Sequence, residues 1–351
     1  MTDLPLPSGV RSAFAETARM RTHYLESGPA DGAPVVLVHG NLSTGRFFEH
    51  LMPGLAGHRV LAPDMRCFGD SAPLPLDATR GLADWADDVA ALLDTLGITQ
   101  PPHLVGWSTA GAAIVDYAKQ RPVASLTFLD PVSPFGYGGA LADGSPVYPD
   151  YAGSGAGTGN PEVVRRIAEG DASAESPASI RNVMNAFYFA PAHREPPERE
   201  DMFVAEILKT VTGEANYPGD VVASENWPGA APGTSGILNA LSPKYCNWSG
   251  IVGLDPKPPV LWTHGSEDIV VSDASPLDLG TIGPSGAIPG WPGAEVFPSQ
   301  PMVTQIRAVL AEYAAAGGSV RTEMFAGCGH SPHLEAADKW LAVFTDFLAT
   351  A

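Results

Sequence analysis

A chain of 351 residues, 44% apolar and 17% charged, can bury one large core or a core with an inserted subdomain, and has the make-up of an ordinary globular protein. Its 39 acidic residues against 20 basic ones give a net charge of -19, so polyanionic partners are repelled and neither nucleic acid nor an anionic membrane surface is an expected partner. No apolar run approaches membrane-spanning length, and the three cysteines, Cys67, Cys246 and Cys328, are too few and too widely spaced for a disulfide framework or a zinc site.

The N-terminal stretch Met1–Ser8 has neither the basic nor the apolar segment of a secretory signal, which makes a reducing cytoplasm the expected location. From Val10 to about Pro131 strand-like and helix-like runs alternate, predicting a parallel sheet with helices on its faces. Val35-Val36-Leu37-Val38 reads as a buried strand that ends in His39-Gly40-Asn41. After the next strand comes the turn Asp64-Met65-Arg66-Cys67-Phe68-Gly69-Asp70-Ser71, in which Asp64 and Arg66 are read as a structural pair. Leu82, Trp85, Val89, Leu92, Leu93 and Leu96 recur at helical spacing and stop at Gly97, a C-cap.

The short apolar strand His103-Leu104-Val105 leads into Gly106-Trp107-Ser108-Thr109-Ala110-Gly111, and a helix-like run follows from Ala112 to Lys119. Small residues on both sides of Ser108 suit a tight strand-to-helix turn, because larger ones would clash where the flanking backbones approach. Such a turn presents the hydroxyl to accessible space and brings the Thr109 N–H near any oxyanion formed there. A serine at this corner also has an ordinary use as a helix N-cap. Val123–Leu129 is a further strand, ending in Asp130-Pro131.

From residue 133 to about 256 the pattern changes to loops rich in Gly, Pro and Ser, with helix-like stretches near Glu162–Ala168, Ile180–Phe189 and Met202–Val211. That is too long for a simple connection. The chain is therefore divided into a first core part, 1–132, an insertion, 133–256, and a second core part, 257–351. The second part opens with the strand Val260-Leu261-Trp262-Thr263-His264 and the turn Gly265-Ser266-Glu267-Asp268. Ser272–Pro301 is a long Pro- and Gly-rich loop, expected to reach the insertion and narrow a pocket mouth. Met302, Ile306, Val309, Leu310 and Tyr313 mark one helix, the loop Gly327-Cys328-Gly329-His330 follows, and Leu334–Leu348 is read as the last helix.

Taken in order, the His-Gly-Asn turn, the Asp-x-Arg-x-x-Gly-x-Ser turn, the serine between small residues, the Gly-x-x-Asp turn and the late glycine-flanked histidine make this chain resemble the α/β-hydrolase superfamily over nearly its whole length. The resemblance implies a mostly parallel sheet flanked by helices, with 133–256 as a mainly helical lid. It implies Ser108 as nucleophile and His330 as general base, with His333 as the rival histidine. Asp268 is the acid on motif grounds, with Asp130 at the end of the preceding strand as the alternative, or as a plain turn-former before Pro131. The N–H groups of Asn41 and Thr109 would form the oxyanion hole, and Trp107, His39 and Gly40 would border the substrate pocket.

Haloalkane dehalogenases and epoxide hydrolases resemble the chain at His39-Gly40-Asn41 but use an aspartate where Ser108 stands. The implied reaction is cleavage of a neutral, moderately apolar ester or lactone through an acyl-enzyme. A C–C bond or amide hydrolase of the same fold is the first alternative, and a slow-turnover ligand receptor that retains the triad is the second. A small-molecule substrate is expected, with self-association into a homo-oligomer left open. No His-Glu-x-x-His, Cys-x-x-Cys or phosphate-loop pattern calls for a metal or another cofactor.

Overall fold

Eight strands form one sheet in the computed structural model, which describes residues 4–351; Met1–Asp3 of the N-terminal stretch read above lie outside the described residues. The strands are β1 (Arg11–Glu16), β2 (Arg21–Ser27), β3 (Ala33–Val38), β4 (His58–Pro63), β5 (His103–Trp107), β6 (Ser125–Leu129), β7 (Val260–Gly265) and β8 (Val320–Phe325). Their spatial order is β1-β2-β4-β3-β5-β6-β7-β8. Only β2 runs against its neighbours; β4, β3, β5, β6, β7 and β8 are parallel. The middle strands are continuous apolar runs because helices cover both faces: Val35, Val36, Leu37, Val60, Leu61, Val105 and Leu126 are fully buried.

The helices of eight residues or more are α1 (Ala83–Thr95), α2 (Ala110–Ala118), α3 (Pro161–Ala168), α4 (Ile180–Phe187), α5 (Pro197–Ile207), α6 (Met302–Ala315) and α7 (Ala337–Leu348). In α1 the residues read as periodic, Trp85, Val89, Leu92 and Leu93, are all buried, together with Asp84, Ala86, Asp88 and Ala91. The α5 helix starts earlier than its apolar residues announce, because Pro197 occupies its first turn with Glu198 and Glu200, a start that suits the helix dipole. The expected last helix is two pieces: a single turn Pro332–Glu335 and then α7, with Ala336 between them at φ -133° and ψ 49°.

Between β6 and β7 the chain leaves the sheet and forms α3, α4, α5, a short helix at Ile237–Ala240 and two two-stranded ribbons. The 272–301 loop does reach this insertion: Trp227 Nε1 donates to the Pro289 carbonyl at 3.1 Å and the Trp227 ring meets Phe297 edge-on at 5.0 Å. Asp64 and Arg66 are structural, as read. Asp64 accepts from the N–H groups of Gly45 and Asp70 and pairs with His23 Nδ1 at 2.7 Å, while Arg66 is held by Asp84 and Asp88. The three cysteines are free and buried. No helix among the described residues is long and apolar enough to cross a membrane.

Burial also holds a histidine neutral at the heart of the sheet. His103 on β5 faces Ser125 on β6, with Nδ1 and Oγ 2.8 Å apart. Desolvation, with repulsion from nearby His58, pushes its pKa down to about 4. The unfolded chain takes up this proton near pH 6.5 whereas the folded chain does not until about pH 4, so this contribution to stability is complete above the unfolded value and fades as pH falls. His103→Gln keeps a partner for Ser125 but cannot titrate. Its stability relative to wild type should therefore improve by about 2 kcal/mol between pH 7 and pH 5 in denaturant unfolding. A difference independent of pH would show that His103 is not held neutral.

Candidate active site

The C-terminal ends of β3, β5, β6, β7 and β8 lie along one edge of the sheet, where ligands gather in folds of this kind. Ser108 sits between β5 and α2 with φ 54°, a left-handed conformation that costs a residue with a Cβ about 1–2 kcal/mol. Two backbone bonds hold it there: Ser108 N–H donates to Leu129, and Val132 N–H donates to Ser108, both at 2.9 Å. The flanking glycine is required by contact, since a Cβ on Gly106 would lie 2.5 Å from the Ala110 carbonyl oxygen. Thr109, not Ser108, occupies the N-cap of α2. The Ser108 hydroxyl forms no hydrogen bond among the described residues and borders a cavity of about 730 Å³.

The turn after β3 packs against this corner. A Cβ on Gly40 would come within 2.9 Å of the Ser108 Cβ and 3.2 Å of the Trp107 carbonyl oxygen, so only glycine permits the approach. Asn41, Thr109 and Trp107 share the cavity wall with Ser108, and neither the Asn41 nor the Thr109 N–H has an acceptor among the described residues. His39, expected on the pocket wall, instead lies wholly buried beneath the turn. Its Nδ1–H donates to the Gly40 carbonyl at 2.7 Å and its Nε2 accepts from Met65 N–H at 2.9 Å, so both nitrogens brace the loop and none is free for a ligand. Desolvation lowers its pKa to about 4.

Tyr188, legible in the sequence only as one of the insertion's aromatic residues, sits at the C-cap of α4. Its hydroxyl is shared between the carbonyls of Asn41 at 2.8 Å and Leu42 at 2.9 Å, and so fastens the β3 turn to the insertion. The Phe187-Tyr188-Phe189 run marks an aromatic anchor, but nothing local distinguishes its hydroxyl partner.

Asp268, in the turn after β7, accepts at Oδ1 from Val270 N–H at 2.7 Å and Val271 N–H at 3.0 Å. Its Oδ2 lies 2.8 Å from His330 Nδ1. Burial pushes this carboxyl up, but the His330 charge and hydrogen bond outweigh that and hold it below the usual carboxylate range. The His330 loop is itself pinned. Trp107 Nε1 donates to the His330 carbonyl at 2.9 Å, and Glu335 accepts from Gly329 N–H and Ala190 N–H, both at 2.8 Å. With Nδ1 facing Asp268, the other ring nitrogen has no hydrogen-bond partner among the described residues. His330 borders the same cavity as Ser108, although no hydrogen bond joins the two side chains here; such bonds often tighten only when substrate is bound.

His333 is fully buried in the Pro332–Glu335 turn, its ring 4.7 Å from that of Trp107 and 5.0 Å from that of Phe48, and does not border the cavity. Asp130, at φ 42° after β6, accepts from Gly265 N–H at 2.8 Å and makes no hydrogen bond to His330.

Two groups, His23–Asp64–Asp70 and Asp130–Asp268–His330, are compact enough to surround a cation. In the first, Asp64 is taken up by His23 and two backbone N–H groups. In the second, His330 turns a proton, not a lone pair, toward Asp268. Neither presents a set of free lone pairs.

A sequence profile described as the alpha/beta hydrolase family matches residues 35–343. The chain is 46% identical over 61 residues to a haloalkane dehalogenase of Mycobacterium marinum (strain ATCC BAA-535 / M), covering 17% of this chain and 20% of that one. It is 30% identical over 135 residues to the uncharacterized carboxylesterase nap of Bacillus subtilis (strain 168), covering 37% and 43%. The chain thus spans less than half the length of these curated relatives. Among solved structures, the esterase EaEST from Exiguobacterium antarcticum superimposes with a TM-score of 0.60 at 17% identity, over 97% of this chain and 100% of that one. With the sheet order, the strand-end turns and the profile match over most of its length, the chain belongs to the alpha/beta hydrolase family.

Proposed function

We propose that this protein is a serine hydrolase that cleaves a neutral, moderately apolar carboxylic ester or lactone through an acyl-enzyme. The observation that carries this reading is Ser108: a strained, unpartnered hydroxyl on a cavity wall that it shares with His330, whose imidazole is hydrogen-bonded to buried Asp268 at 2.8 Å. In the proposed first step Ser108 Oγ attacks the substrate carbonyl while His330 takes its proton at Nε2. Asp268 holds the imidazole tautomer and stabilises the imidazolium as it forms. The unpartnered N–H groups of Asn41 and Thr109 receive the oxyanion, each such donor being worth about 3–4 kcal/mol of barrier. His330 returns its proton to the leaving alcohol, then activates water to release the acid and regenerate the serine.

The wall of the cavity supports this choice of substrate class. Leu42, Val132, Val163, Phe187, Leu238 and Val271 line it, and among the described residues no lysine or arginine does. With a net charge of -19 on the chain, an anionic acyl group would be both repelled at a distance and unpaired on arrival. Residues 133–256, which supply much of this wall, are read as a lid over the site.

Ser108→Ala should remove all measurable turnover of a p-nitrophenyl ester while leaving the unfolding transition unchanged. Retention of turnover would place the nucleophile elsewhere. Asp268→Asn should lower kcat by about 10⁴-fold, because the amide no longer fixes the reactive tautomer. A near-normal kcat in that variant would pass the acid's role to another group. Across a series of p-nitrophenyl esters, kcat/KM should rise from acetyl to medium acyl chains and fall sharply for a hemisuccinate. Equal rates on the charged and neutral esters would overturn the substrate class.

A further inference from the structure

Behind the Asp268–His330 pair lies a second carboxyl that the proposed reaction does not use. Asp130 is fully buried at the end of β6 and, like Ser108, has a positive φ, 42°. Its Oδ1 accepts the Gly265 N–H at 2.8 Å, but its buried Oδ2 has no donor. Asp268 is equally buried, yet it is served by three donors: Val270 N–H, Val271 N–H and His330 Nδ1–H. One polar atom from each of Asp130, Asp268 and His330 lies within 4.8 Å of the other two. Two anions cannot share so small a dry space, and the better-solvated one keeps the charge.

The surrounding groups agree. His264 Nε2 lies 3.2 Å from the Val271 carbonyl, to which it can only donate, so a neutral ring turns a bare Nδ1 toward Asp130 Oδ1 at 3.5 Å. That Nδ1 has no other partner, and burial holds the ring below its ordinary pKa. The other titratable groups facing the pair are Glu335, Cys328 and Tyr137, with Arg307 acting on His264; none puts a cation against Asp130. Burial and the Asp268 charge together push the Asp130 carboxyl well above the usual range.

We infer that Asp130 is an un-ionised carboxylic acid that donates its O–H to Asp268, and that it is a positioning residue for the acid–imidazole pair rather than an alternative acid. The pair then carries one negative charge. The donated hydrogen bond fixes the Asp268 carboxylate and tempers its basicity, which limits how strongly His330 holds a proton.

The two charge states predict opposite signs. Asp130→Leu removes a neutral donor and leaves Asp268 more basic, so the imidazolium form of His330 is better stabilised. The acidic limb of kcat/KM, below which His330 is protonated, should move to higher pH, with a loss of about tenfold in kcat/KM at neutrality. Asp130→Asn, whose amide still donates, should restore both. If Asp130 were ionised, either substitution would remove a negative charge and move the limb to lower pH; that result, or an unmoved limb in Asp130→Leu, overturns the inference. The kinetic arm rests on the proposed serine mechanism. A second readout does not: the infrared difference spectrum between wild type and Asp130→Asn at pH 7 should contain the C=O stretch of a protonated carboxyl, shifting in D₂O. A carboxylate difference band in its place would overturn the inference whether or not the protein turns over any ester, and whether or not the leucine variant folds.

Discussion

A hydrogen bond of 2.8 Å between Asp268 and His330 spans 62 residues of chain and can exist only if the ends of two parallel strands are brought side by side. The β7–β8 pairing does this, setting Gly265 opposite Phe325, so that the two turns leave the sheet together. The 2.9 Å bond from Trp107 Nε1 to the His330 carbonyl then ties that pair to the turn after β5. The positive φ of Ser108 is held in turn by bonds to Leu129, the last residue of β6, and to Val132 just beyond it. The register of the sheet is therefore the device that places the site. Strain at Ser108 and Asp130 persists because neighbouring strands over-determine both corners.

The core was legible where burial on both faces leaves apolar runs, as in Val35–Val38 and Val260–His264, and where helical spacing is regular, as in α1 and α6. It was least legible at the edges. Strands β1 and β8 are largely exposed or half-buried and carry Arg11, Glu16, Arg321 and Glu323; an edge strand has no second neighbour to demand an apolar pattern. The insertion was visible as a change in composition, but the start of α5 was hidden because prolines and glutamates, not apolar residues, define its first turn.

For the site, the turns carried the information. Gly40, Gly106 and Gly265 mark places where backbones touch, and small residues there can be read directly. What the sequence could not separate were side chains of one type in one neighbourhood. His330 and His333 stand three residues apart, and only the fold shows that the first faces Asp268 while the second is packed against Trp107 and Phe48. The same holds for Asp268 and Asp130, which lie in one cluster with different hydrogen-bond partners. His39 was misread as a pocket residue because its turn does border the cavity; its ring points the other way and braces the loop. Tyr188 belongs to the opposite case: its aromatic run marks an anchor, but nothing local points to its long-range partner Asn41.

The central chemical claim is that the Ser108 hydroxyl becomes acylated during turnover. Rapid-quench mass spectrometry with a slowly deacylating apolar ester tests it most directly. An adduct of the acyl mass on the peptide containing Ser108, formed faster in wild type than in His330→Ala, is the expected result. Turnover of the ester with no transient adduct on that peptide, or with the acyl group carried on another residue, would contradict it.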